Sequence, residues 1–162
     1  MAAATTANQT TVLTAQELLD HWQGHRRLTR RVIEAFPEDK LFSFSIGGMR
    51  PFSNMVLEFL RMAVPIASGV ATGKWEERDP GSPRTKAELL ALWDKDTAAL
   101  NQIWPTIPAH RFAEVDKAFG KWESSGIAGI LYAIDNETHH RAQGYVYLRA
   151  LGIEPPGFYD RA

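Results

Sequence analysis

Apolar residues recur at helical spacing in four long stretches of this chain, and nowhere does the two-residue alternation of a strand persist. The first stretch predicts a helix over about residues 15–36, with Leu18, Trp22, Leu28, Val32 and Phe36 on one stripe. Thr14 and Glu17 stand at capping-box spacing, where each side chain satisfies a backbone N–H that the first turn leaves over. Pro37 stops this helix, because a proline ring collides with the preceding turn. The second stretch predicts residues 51–71, with Pro51 suited to the first turn and Gly73 as a stop signal. Pro65 lies inside it and predicts a kink or an early end. The third begins at another capping box, Thr85 and Glu88, carries Leu89, Leu92, Trp93, Leu100 and Ile103, and ends at Pro105. The fourth starts near Ser125, capped by Ser124 or Ser125. It ends before Gly152, and Pro155 and Pro156 forbid its continuation.

The connections 73–84 and 105–124 are long and rich in Pro, Gly and charge. Short loops suit an up-down bundle, whereas long crossovers let neighbouring helices run parallel. A structureless connection as long as the second is uncommon in a compact domain. Residues 112–122 are therefore expected to hold local structure and pack over one end of the bundle. The prediction is an all-α, four-helix bundle with long crossover loops. Residues 1–13 are expected to form a flexible tail and residues 14–162 a single domain, long enough to bury a real core.

Composition narrows the partners. Hydrophobic residues make up 44% and charged residues 23%, ordinary for a globular protein, and a net charge of -1 gives no global electrostatic case for nucleic acid. The absence of cysteine excludes disulfides, thiolate nucleophiles and cysteine-ligated zinc, and is compatible with a reducing cytoplasm. The N-terminus lacks the basic-then-apolar order of a signal peptide, and no apolar run reads as long enough to cross a membrane. A cytoplasmic protein with neither nucleic acid nor membrane as a partner is expected. Gly47-Gly48 reads as a turn; no glycine-rich phosphate loop, nucleophile elbow or His-Glu-x-x-His motif is present.

Candidate chemistry lies in two places. Residues 135–140 pack two histidines, an amide and two acids into six positions. Burying such groups unpaired costs roughly 2–7 kcal/mol each, so they face water or something binds them. Asn136 and His140 are four apart and share a helix face. They are either two ligands of one ion or a polar pair hydrogen-bonded across the bundle, the commoner outcome of such spacing. Glu58 sits on an apolar wheel with Met55, Phe59 and Met62, where a carboxylate needs a cation, an arginine such as Arg61, or a route to solvent. His21 and His25 form a competing i, i+4 pair, in a stretch that Asp20, Arg26 and Arg27 mark as largely solvated. Arg30 and Arg31 extend that basic stripe, His110 reads as surface, and His139 points away from His140.

Asn136-Glu-Thr-His-His-Arg-Ala-Gln143, followed by Tyr147-Leu-Arg149 and Gly152-Ile-Glu-Pro-Pro156, resembles the DinB/YfiT-like superfamily. The usual pattern there is His-x3-His-Arg-Gly-Gln, then Tyr-Leu-Arg, then a glycine and a pair of prolines. The second helix and Ala71-Thr-Gly-Lys-Trp75 look like that family too. The resemblance implies a four-helix bundle, commonly a homodimer, with a divalent metal such as zinc, nickel or manganese. The family's three ligating histidines fall on Glu58, Asn136 and His140 here, and Ala142 replaces the usual glycine. It further implies a metal-dependent enzyme, such as an S-transferase or isomerase joining a small thiol cosubstrate to a small molecule. The alternative is a non-catalytic, dimeric stress-response or ligand-binding bundle whose metal site has decayed.

Overall fold

The computed structural model describes residues 12–162, so the expected N-terminal tail lies outside the described residues apart from its last two positions. Among the described residues five α-helices carry the fold: α1 (Ala15–Ala35), α2 (Glu38–Ser43), α3 (Phe52–Thr72), α4 (Lys86–Ile103) and α5 (Gly126–Ala150). α1, α3, α4 and α5 are the four expected bundle helices. α4 and α5 each pack against both α1 and α3, which places α1 and α3 on a diagonal of the bundle.

The helix ends follow from local chemistry. Thr14 Oγ1 accepts from the Glu17 N–H at 3.1 Å while Glu17 accepts from the Thr14 N–H at 2.8 Å, and Thr85 and Glu88 repeat this reciprocal cap on α4. The Ser125 hydroxyl accepts from the Ala128 N–H at the start of α5. At its end Gly152 takes φ 75°, the Gly152 N–H donates to Arg149 O and the Ile153 N–H donates to Leu148 O. These bonds satisfy carbonyls that the last turn leaves over.

Pro65 does not end α3, which runs on to Thr72 and stops at Gly73 in the left-handed conformation, φ 72°. A proline inside a helix costs about 3 kcal/mol. Ala63, Ile66, Ala67 and Val70 around it are all buried, and burying a single side chain of Ile or Val size contributes about 1.5–3 kcal/mol. Packing therefore outweighs the missing hydrogen bond. α3 also corrects an expectation about apolar length: its 21 residues include an 18-residue window of mean hydropathy 1.4, enough by length and composition to cross a membrane. In this structure 56% of that window is buried in the bundle core.

The long second connection holds 3₁₀ turns at Trp104–Thr106 and Ala109–Phe112 and a two-stranded antiparallel hairpin, β1 (Val115–Ala118) with β2 (Trp122–Ser125). Local structure was expected here, but strands were not. Each strand spans four residues, too few for alternation to register.

Two apolar clusters make the core. One gathers Leu18, Trp22, Ile66, Leu100 and Ile130; the other gathers Val32, Phe52, Phe59, Trp93 and Tyr147. Between them along α1, α4 and α5 lie Arg26, Thr29, Asp96, Glu137 and Arg141, all buried. The basic stripe of α1 was expected to be solvated, yet Arg26 is fully enclosed. Its guanidinium lies 3.8 Å from the Trp93 ring centre, donates to Thr97 Oγ1 at 2.8 Å and faces Glu137 at 3.9 Å. Arg26 shares the inward face of α1 with Trp22 and Thr29, so helical phase overrides its charge.

Candidate polar site between α3 and α5

Glu58 of α3 meets Asn136 and His140 of α5 at one point. Asn136 Nδ2 donates to Glu58 Oε1 at 2.8 Å, and His140 Nε2 lies 3.3 Å from the same oxygen. The three residues that the resemblance groups together do meet, in a partly open cleft, with the Glu58 side chain 27% exposed.

A fourth residue completes the cluster and was missed in the sequence. The Arg50 guanidinium pairs with Glu58, and its Nη2 lies 3.3 Å from His140 Nε2. Arg50 takes the partner role that the helical wheel suggested for Arg61. It reaches the cleft because the segment before α3 turns through Gly47 and Gly48, both at positive φ. Tyr147 then fixes it by donating its hydroxyl hydrogen bond to Arg50 O at 3.0 Å. The only sequence signal was an arginine between a Gly-Gly turn and a helix-starting proline.

The electrostatics follow. Burial alone would raise the Glu58 pKa, but hydrogen bonds from Asn136 and Arg50 and the charge of Arg50 outweigh it and hold the carboxylate below its ordinary range. His140 Nδ1 lies 3.2 Å from Gln143 Oε1, which only accepts, so Nδ1 carries the proton. In the neutral ring Nε2 then keeps its lone pair toward Arg50. Gln143 Nε2 in turn donates to His139 Nε2 at 3.1 Å.

As arranged, these residues do not fit a divalent ion. A metal needs lone pairs directed at one point, and here that point is crowded with N–H donors. Asn136 presents Nδ2, which has none to give, while Arg50 occupies both the Glu58 carboxylate and the His140 lone pair. Among the described residues, no group of three or more His, Cys, Asp or Glu is placed to hold an ion. What the arrangement does offer is a matched charge pair with a flanking imidazole at a half-open cleft.

The competing His21/His25 pair resolves differently. Arg141 Nη2 donates to His25 Nδ1 at 2.8 Å, so in the neutral ring His25 Nε2 carries the proton and donates to His21 Nε2 at 3.2 Å. No lone pair remains on His25 for an ion. His25 is buried, at 4% exposure, in a stretch expected to be largely solvated.

The fold and this cluster define a helical bundle with one polar cleft between its second and fourth long helices. The DinB family model matches residues 5–162, and the chain belongs to that family. It is 22% identical over 151 residues to the uncharacterized protein YjoA of Bacillus subtilis (strain 168), covering 91% of this chain and 97% of that one. Among solved structures it is similar to a DinB-like protein from Bacillus cereus ATCC 10987, with a TM-score of 0.74, 17% identity, and coverage of 89% of this chain and 97% of that one. The structure of Bacillus subtilis YjoA matches with a TM-score of 0.74 at 17% identity, over 90% of this chain and 99% of that one. At that identity the structural likeness establishes the shared fold.

Proposed function

We propose that this chain is a small-molecule-binding DinB bundle in which an arginine of its own stands at the family's metal position, so that the cleft binds its ligand without transforming it. The observation carrying this reading is the Arg50 guanidinium, paired with Glu58 and set 3.3 Å from His140 Nε2. Neutralising a half-buried carboxylate is a task that a metal ion would otherwise perform, and a resident guanidinium performs it without one. The chain has no cysteine, so thiol chemistry at this cleft would need a thiol cosubstrate as well.

A second reading, the metal-dependent S-transferase, has one observation in its favour. Asn136 Oδ1 is buried with no hydrogen-bond partner, and a carbonyl oxygen is the atom an ion would take from an amide. It requires Arg50 to leave the cleft and the Asn136 amide to turn over.

Calorimetric titration of untagged protein with zinc, nickel and manganese separates the two. Wild type is expected to hold no stoichiometric ion at micromolar concentration. Arg50→Ala is expected to gain one site per chain, and Arg50→Ala with His140→Ala to lose it again. A wild-type protein that loads one ion per chain and then transfers a group to a small thiol would replace the binding reading with the enzymatic one.

A further inference from the structure

A cavity of about 580 Å³ opens between α3, α5 and the β1–β2 hairpin, within the range of small-molecule sites. Its walls are aromatic: Trp75, Phe119, Trp122 and Tyr132, with Ala128 and Gly129 of α5 also lining it. None of the residues lining it carries a formal charge. The cavity lies one helical turn along from the polar cleft on both helices: Met62 follows Glu58 on α3 and Tyr132 precedes Asn136 on α5.

Three features shape this cavity. The first is Gly129. A glycine inside a helix costs about 0.5–1 kcal/mol relative to alanine. At Gly144 a Cβ would meet the Phe52 ring at 2.6 Å, so packing demands the glycine there. At Gly129 the nearest neighbours of a Cβ would be Ile66 and Ser124 at 3.8 Å, which is ordinary contact. Packing asks for no glycine here, and its effect is to leave the cavity open.

The second is Phe119, at φ 52° the one non-glycine residue with positive φ among the described residues. Phe119 stands in the tight turn joining β1 to β2, where the Lys121 N–H donates to Ala118 O, and the turn holds it in a conformation that costs a bulky L-residue about 1–2 kcal/mol. It sets the Phe119 ring edge-on to Trp75 and Trp122, with ring centres 5.5 and 6.1 Å apart. The third is the mouth, where Trp122 and Tyr132 stand 60% and 62% exposed. The inner wall is rigid by contrast. The Trp75 ring packs where Gly69 has no side chain, and Trp75 Nε1 donates to Asp116 at 2.9 Å, which Arg111 holds at 3.0 Å.

We propose that this cavity is a binding site for a neutral, planar aromatic small molecule, stacked among Trp75, Phe119, Trp122 and Tyr132. The uncharged lining selects a neutral ligand, since an ion entering it would lose its hydration unpaired. The flat walls select an aromatic one, because ring stacking adds about 0.5–1.5 kcal/mol per pair beyond the area buried. Ser124 lines the cavity with its Oγ beside Gly129 and can orient one polar substituent. This deepens the ligand-binding reading of the cleft and rests on it. The two fail separately, because metal titration reads the Arg50 cluster and not the aromatic walls.

The test is a fluorescence titration with the neutral probe N-phenyl-1-naphthylamine on wild type, Gly129→Leu and Trp122→Ala. Leucine fills the cavity from its helical side and is a better helix former than glycine, so that variant is expected to fold. Trp122 is exposed, so its truncation leaves the core intact. Circular dichroism confirms both. One saturable site per chain in wild type, weakened about tenfold or more in each variant, supports the proposal. Absence of saturable binding in wild type overturns it, as does unchanged binding in the two folded variants. A wild-type dimer that binds no probe and dissociates in Trp122→Ala would also overturn it, assigning the aromatic face to a second copy of the chain.

Discussion

At the residue scale the most exacting position is His25. Burial first, then Arg141, Arg161 and His21, push its pKa down to about 3. An unfolded histidine titrates near about 6.5, so between those values the unfolded chain binds more protons than the folded one. Stability from His25 is therefore present above about pH 6.5 and is lost as pH falls below it, by up to about 1.4 kcal/mol per pH unit. Glu137 and Asp96 have pKa values raised by burial, against the pull of neighbouring arginines, and act with the opposite sign above the unfolded carboxylate range. Thermal melts at pH 7 and pH 5 are expected to show a smaller loss on acidification in His25→Gln than in wild type. Glutamine still accepts from Arg141 but takes up no proton. Parallel losses in the two proteins would remove His25 from the account.

At the element scale α5 carries the densest set of obligations. It donates Asn136 and His140 to the cleft, Glu137 and Arg141 to the buried polar layer, and Gly144 to the contact with Phe52 of α3. Successive residues point about 100° apart around a helix, so neighbours in sequence serve different faces, and no single apolar stripe describes the element. Its glycines separate by the same geometry. Gly144→Ala forces a methyl into the Phe52 ring and is expected to cost about 1–3 kcal/mol. Gly129→Ala makes only ordinary contacts, with Ile66 and Ser124 at 3.8 Å, and is expected to stabilise by about 0.5–1 kcal/mol. Urea unfolding of the two variants checks this, and equal effects of the same sign would contradict the local geometry.

At the scale of the whole molecule, α4 and α5 hold the α1–α3 diagonal together, and the charged layer sits between two apolar halves of the core. α5 also leaves Leu131 and Val146 in solvent, at 40% and 55% exposure. We propose that these residues contribute to a closed two-fold contact, the self-complementary arrangement that makes homodimers the commonest oligomers. Light scattering at micromolar concentration is expected to give twice the chain mass, and Val146→Glu to shift it toward the monomer. A monomer mass for wild type would sink this arrangement.

The four bundle helices were legible from periodicity and caps, because Thr14/Glu17, Thr85/Glu88, Ser125 and Gly152 act through backbone groups only a few residues away. The meeting of Glu58 with Asn136 and His140 was reached through the resemblance of motifs, not through spacing. Tertiary structure alone decided what occupies that meeting point. Arg50 lies eight residues before Glu58 and 90 before His140, and reaches both only once the Gly47-Gly48 turn and Tyr147 have placed its backbone. The continuation of α3 through Pro65, the burial of Arg26 and the assembly of an aromatic cavity from four separate segments belong to the same class. Each depends on partners distant in the chain, whose packing free energy no local pattern of residues encodes.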